Sequence, residues 1–327
     1  MKYCARTWAF MLALAAITAS CFGQMPELKP LKGTGSPADV KDKDHFVFIV
    51  AGDNRPDKAT DPVTPVAEEI FKQIKKKGPV FVLWSGDTIY GKNPDDHKKI
   101  NEEYKEFLTV AATGETPLYN APGNHEMADH DNCPNAKMLK WYLEDTGQDE
   151  PYGAFNYGDS RFIALNSDDD GTPPEGCDCL KQPKGTKPPG FIGEKQMELL
   201  KKDLEANSKK AHIFLFLHRP LEGYKSEDQL CAANVAEMKK LFKDHPNVSY
   251  VVAGHQHMYY NAQGSEKKQF CAPPERTDPG PKPYYLVSGG AGAPLKSKGF
   301  YHYLIFTVDG SKVSVEVVPV MDKSKCE

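Results

Sequence analysis

The chain has 327 residues, 39% of them apolar and 26% charged, the composition of a globular protein with one large core or two modest ones. A formal net charge of −4 gives no electrostatic footprint for nucleic acid. Past the N-terminal residues, no apolar run approaches the roughly 20 residues that span a bilayer.

Lys2 and Arg6 precede an apolar stretch over residues 8–17, followed by the small residues Thr18, Ala19, Ser20, Cys21 and Gly23. This layout predicts a secretory signal peptide, residues 1–23, and a secreted or periplasmic protein. The alternative is a lipid anchor on Cys21, although Thr18 stands where an aliphatic residue is usual. Residues 24–43, rich in Pro, Gly and Lys, read as a flexible leader, residues 44–320 as the folded domain and residues 321–327 as a tail.

Short apolar runs predict buried strands over residues 45–51, 80–85, 117–122, 212–217 and 248–253. The first helix is expected over residues 66–77, with Val66, Ile70 and Ile74 on one face, Pro65 in its first turn and Gly78-Pro79 as its stop. Lys75 to Lys77 are its solvated end. Further helices are expected over residues 94–110, 138–144, 194–207 and 235–244. A hairpin joins residues 155–157 to 162–166, and residues 168–190 form a long loop whose Asp168-Asp169-Asp170 run reads as solvated acid. Late strands follow over residues 284–288, 301–308 and 312–318, the last two joined at Asp309-Gly310. The pattern predicts an α/β fold of two packed mixed β-sheets flanked by helices, a four-layer α-β-β-α sandwich.

Each of the five buried strands ends in a polar motif. These are Gly52-Asp53-Asn54-Arg55, Gly86-Asp87-Thr88-Ile89-Tyr90, Gly123-Asn124-His125-Glu126, His218-Arg219-Pro220 and Gly254-His255-Gln256-His257. Strand ends that deliver carboxylate, amide and imidazole describe a metal site assembled from loops. Motifs so far apart can meet only if their strands lie side by side in one sheet. His255 and His257 can turn both rings into one pocket, and an Asp between two metals is a bridging carboxylate. Two metals can stabilise both the entering and the leaving oxygen of an in-line displacement.

In this order the motifs resemble those of the calcineurin-like metallophosphoesterase superfamily, across nearly all of the folded domain. The GDxxY form, GNHE and His-Arg-Pro lean toward its purple acid phosphatase branch. The resemblance implies that Asp53 and His257 bind a first metal, Asp87 bridges, and Asn124, His218 and His255 bind the second. His125 would lie just outside the metals as a proton or hydrogen-bond donor, supported by Glu126. Arg219 would contact phosphate or serve structure. Many members have a ligating His where this chain has Arg55, a permanent cation that cannot ligate but can face phosphate. Tyr90 would then bind ferric iron as a phenolate, with zinc or manganese as its partner; without Tyr90, the first metal is zinc or manganese.

The implied function is binuclear hydrolysis of a phosphorylated small molecule, a phosphate monoester, by direct attack of a metal-bound hydroxide. A phosphodiesterase or nucleotidase on the same scaffold is the alternative, and a non-catalytic metal- or phosphate-binding surface protein the third reading. Six cysteines follow the signal segment: Cys133, Cys177, Cys179, Cys231, Cys271 and Cys326. In an exported chain they predict disulfides, with 15 pairings open. The first five follow the motif-bearing strand ends, so they are expected on the rim of the site, with at least one bridge among them.

Overall fold

The computed structural model describes residues 23–36, 39, 42, 44–183, 186–265, 268–274 and 283–321. The signal segment before Gly23, Cys21, Cys326 and the tail beyond Met321 lie outside the described residues. Among the described residues no helix is long and apolar enough to cross a membrane.

Strands are numbered in chain order. β1 (His45–Ala51), β2 (Val82–Trp84) and β3 (Leu118–Asn120) lie parallel, and the antiparallel β10 (His302–Asp309) and β11 (Lys312–Pro319) complete a sheet ordered β11-β10-β1-β2-β3. The second sheet holds β4 (Gly153–Tyr157), β5 (Ser160–Leu165), β6 (His212–Leu217), β7 (Val248–Ala253), β8 (Tyr259–Asn261) and β9 (Tyr284–Ser288). Its order is β4-β5-β6-β7-β9-β8, with β5, β6, β7 and β9 parallel. The five motif strands therefore divide between two sheets, which corrects the expectation of one. β8, a three-residue edge strand, was not anticipated because it is too short to show a period.

Alternation explains the layers. In β1, Phe46, Phe48 and Val50 face the other sheet, where they join Phe81, Phe162, Phe214, Phe216 and Phe306 in one aromatic core. Phe48 stacks on Phe306 at 4.8 Å and meets Phe162 and Phe214 edge-on at 5.2 Å, geometries that aromatic quadrupoles favour. Ile49 and Ala51 point the other way, onto α1 (Pro65–Lys77) and α2 (His97–Ala112). On the second sheet Ile213, Leu215 and Leu217 do the same toward α5 (Glu194–Ala206) and α6 (Ala232–Asp244). The one-turn α3 (Asn124–Met127) and α4 (Ala136–Thr146) complete the helices.

Local chemistry sets the helix ends. Thr64 caps α1 through Ala67 N–H, Pro65 opens it, and Gly78 closes it in the left-handed region at φ 58°. One boundary was misread. The leader is anchored through Thr34: Met25, Leu28 and Leu31 are buried, Leu28 N–H and Ala154 N–H exchange hydrogen bonds with the Ala154 and Pro26 carbonyls, and the Thr34 hydroxyl accepts from Leu118 N–H. Asp203, paired with Arg161 inside the fold, also accepts from Met25 N–H. Three apolar residues in a Pro-rich run have no period, so sequence did not reveal them as core.

Candidate metal centre

The C-terminal ends of β1, β2 and β3 meet those of β6 and β7, and each motif forms the turn that leaves its strand. Asp53, Asp87, His255 and His257 have φ of 61°, 52°, 69° and 36°. That left-handed backbone costs a non-glycine residue on the order of 1–3 kcal/mol and persists where surroundings over-determine it. The motif glycines give room for the carboxylates: a Cβ on Gly254 would meet Asp53 Oδ2 at 2.2 Å, and one on Gly123 would meet Asp87 Oδ1 at 2.3 Å.

Two groups of donor atoms result. Asp53, Asp87 and His257 each offer a ligand atom within 4.8 Å of the others. His257 Nε2 lies 3.4 Å from Asp53 Oδ1, while its Nδ1 is 2.7 Å from the Pro294 carbonyl. In the second group, His218 Nε2 lies 3.0 Å from Asn124 Oδ1, 3.2 Å from Asp87 Oδ1 and 3.0 Å from His255 Nδ1. The Ser85 carbonyl, 2.7 Å from His218 Nδ1, takes the proton of that nitrogen and leaves the lone pair on Nε2. Acceptor atoms of carboxylate, amide and imidazole thus converge, and Asp87 belongs to both groups. This donor set fits cations.

The electrostatics agree. Burial alone would raise the Asp87 carboxyl, but the charges of His218, His125 and Arg55 outweigh it and hold it far below the usual range. Burial disfavours charge on His218, yet Asp87 and Asp53 raise it above its ordinary value. The field at Nε2 therefore favours positive charge. Burial, with Arg219 and His218 adding to it, pushes His255 well down.

His125 stands beside this set. Its N–H donates to Asp87 Oδ1 at 3.1 Å, its Nε2 is 3.9 Å from Asp87 Oδ2, and its Nδ1 bonds the Tyr90 carbonyl. Burial pushes its pKa down to about 3, against the pull of Asp87. The Tyr90 ring packs edge-on against His125 at 5.9 Å. Arg55 Nε is buried without a hydrogen-bond partner, 3.6 Å from Asp87 Oδ2. Arg55, Asp87, Asn124, His125, Arg219, His255 and His257 all line one cavity.

Two expectations change here. Glu126 supports the Asp87 turn, with no bond to His125 among the described contacts: its carboxylate accepts N–H bonds from Gly123, Asp87 and Thr88 at 2.6, 3.0 and 2.6 Å. Of the acidic run, Asp170 is exposed as expected, but the other two carboxylates are enclosed. Asp168 is buried and clamps Arg219, with Nε at 2.9 Å and Nη2 at 2.8 Å from Oδ1. Asp169, also buried, takes Gly193 N–H and Gln196 Nε2. An Arg enclosed by the fold needs a carboxylate, but sequence does not show which one.

Lys92, Asn132, Lys187, Asp228 and Lys296 also line the cavity, and none was singled out from the sequence. Lys92 follows Tyr90 by two residues, a position where lysine carries no signal of its own. Burial lowers its pKa to about 8, with Asp87 opposing the shift. Two disulfides, Cys133–Cys179 and Cys177–Cys231, join the loops that carry Asn132, Lys187 and Asp228. The expected rim staple is therefore present, twice; Cys271 instead packs half-buried against the inter-sheet core.

No sequence among curated proteins matches the chain. Among solved structures, a dimetal phosphatase from Danio rerio superposes with a TM-score of 0.61 at 14% identity, over 84% of this chain and 96% of that one. GAP50, the anchor in the inner membrane complex of Plasmodium, superposes with a TM-score of 0.51 at 15% identity, over 86% of this chain and 90% of that one. At such identities these likenesses speak for the two-sheet fold. The model of the calcineurin-like phosphoesterase family matches residues 64–259, well over half the chain and four of the five motifs. The chain therefore belongs to the calcineurin-like phosphoesterase family and is a hydrolase of phosphoric ester bonds.

Proposed function

We propose a two-metal phosphomonoesterase of the acid phosphatase kind. The observation that carries this reading is the doubled donor set, sharing Asp87 and opening on a cavity walled by cations. Asp53, Asp87 and His257 would hold one metal, and Asp87, Asn124, His218 and His255 the other. When bound, the pair supplies Lewis-acid stabilisation of phosphoryl oxygens and a nucleophile ionised near neutral pH.

The chain's own groups do the rest. Asp87 stays ionised, and the Ser85 and Pro294 carbonyls fix which nitrogens of His218 and His257 face the centre. The unpartnered Arg55 Nε is a donor for a phosphoryl oxygen, and Arg219, oriented by Asp168, is a second. With Nδ1 on the Tyr90 carbonyl, His125 presents Nε2 to the cavity. Its low proton affinity keeps it neutral until an anionic phosphoryl group arrives. A monoester monoanion carries a proton that Nε2 can take and return to the leaving oxygen; a diester carries none.

We read the metals as iron with zinc or manganese if Tyr90 reaches the first site, and the protein as secreted or periplasmic. The two disulfides support the second point. Metal analysis paired with hydrolysis of an aryl phosphate, a bis-aryl phosphate and a nucleotide tests the whole reading. Two metals per chain and faster cleavage of the aryl phosphate than of the bis-aryl phosphate are expected. Faster diester or nucleotide cleavage moves the chain to the phosphodiesterase or nucleotidase reading; bound metal without turnover moves it to the non-catalytic one. A visible charge-transfer band bleached by Tyr90→Phe is expected of the iron form.

A further inference from the structure

The cavity holds more positive charge than one phosphoryl group uses. Arg55 and Arg219 lie against the donor set, 3.6 Å from Asp87 and 3.5 Å from His255. Lys92, Lys187 and Lys296 form an outer group on three separate loops of the same cavity. Their acidic counterweight is thin. Apart from Asp87, the one carboxylate lining the cavity among the described residues is Asp228, 3.8 Å from Lys187.

Lys92 is the most firmly placed of the three. Its N–H donates to the His125 carbonyl at 3.1 Å, which ties it to the residue beside the phosphoryl position. Its φ is 58°, and that of Asn132 is 62°. These two non-glycine residues in left-handed backbone meet at the cavity wall, with the Lys92 ammonium on the Asn132 amide oxygen. Asn132 is in turn fixed by the disulfide at Cys133. A neutral amide steers an ammonium without neutralising it, so the charge of Lys92 stays available to a ligand.

The geometry points to a second anion subsite, formed by Lys92, Lys187 and Lys296, for a phosphoryl substrate that carries a further phosphate or carboxylate on its leaving side. This rests on reading the centre as a phosphoesterase site. It also separates the preferred substrate from simple aryl and alkyl phosphates, which leave the outer lysines unmatched.

Unreactive phosphonates test it by calorimetry on the metal-loaded protein. Propylphosphonate, ethylene bisphosphonate and phosphonopropionate share a linker and differ only in the far group. At least tenfold tighter binding of one or both doubly anionic ligands is expected, and which of them gains identifies the far group. Lys92→Met should reduce that preference to within threefold. Lys296→Met, at an exposed position with little bearing on folding, should reduce it by a smaller factor. If none of the three binds, the phosphoesterase reading fails and the subsite with it. If propylphosphonate binds as tightly as the others, or the preference survives both substitutions, the subsite alone is overturned.

Discussion

Asp87 is where the two donor groups meet, and its substitution separates a metal centre from a merely polar cleft. Asp87→Asn keeps size and shape but removes the shared negative charge, so turnover should fall below detection while the circular dichroism spectrum is unchanged. His125→Ala should lower kcat by about 10²–10⁴-fold, the usual worth of a positioned acid–base group, with metal content retained. Near-normal activity and metal content in Asp87→Asn would refute the bridging role. Away from the centre, His302 is fully buried, hydrogen-bonded to Phe300 and Ser288, and burial lowers its pKa to about 4. Because its folded pKa lies below the unfolded value near 6.5, the unfolded chain takes up the proton first. The contribution is intact above pH 6.5 and is lost as pH falls toward 4, by roughly 3 kcal/mol at about 1.4 kcal/mol per unit. Denaturant midpoints should fall across that window, and His302→Gln should flatten the fall; an unchanged slope would rule His302 out. Single residues were legible to different degrees. The ligand candidates stand at strand ends as sequence placed them. Asp168, Glu126 and Lys92 were misread or missed because their partners, Arg219, the Asp87 turn and Asn132, come into reach only through the fold.

Elements were easiest to read where a period was long enough. β6, β7 and β9 match their expected bounds and α1 begins one residue early, since a continuous, mostly apolar run or a capped amphipathic face leaves little choice. β2 and β3 are three residues each, shorter than the apolar runs that contain them, because the chain turns toward the site at Ser85 and Ala121. The docked leader and β8 had no pattern to read. The loops at the rim make a separate stratum, held by Cys133–Cys179 and Cys177–Cys231 rather than by a core. Reduction should therefore act on the site before the sheets. Mild reductant should raise KM severalfold at a temperature where the far-UV spectrum is still native, and the Cys177→Ser, Cys231→Ser pair should reproduce it. Simultaneous loss of activity and secondary structure would show that the bridges serve the whole fold instead.

For the molecule as a whole, the centre lies between sheets, with Asp53, Asp87 and Asn124 on one side and His218, His255 and His257 on the other. Ions that bind the native state alone stabilise it by mass action, about 2.7 kcal/mol per site at a hundredfold excess over Kd. In a chain this long that is a Tm shift of roughly 4 °C per site. Chelation should lower the calorimetric Tm by several degrees, reversibly on adding metal back. An unmoved Tm in protein shown to have lost its metal would mean the sheets hold together without help from the centre. Architecture was the most legible level of all: strand and helix alternation predicted two sheets and four layers. The partition of motif strands between sheets was not legible, since a parallel strand reads alike in either.

The oxygen donors all precede the nitrogen donors in the chain. A ribosome releases the carboxylates and the amide long before His218, the first of the ligating imidazoles, and β1 waits for β10, near the end of synthesis, to fill its other edge. No partial chain can offer a complete cage. A complete ligand set therefore exists only once the last motif has been made, and ions bound there would be drawn from whichever compartment the protein finishes folding in. The identity of the metals is then as much a record of where the chain became complete as of what its ligands prefer.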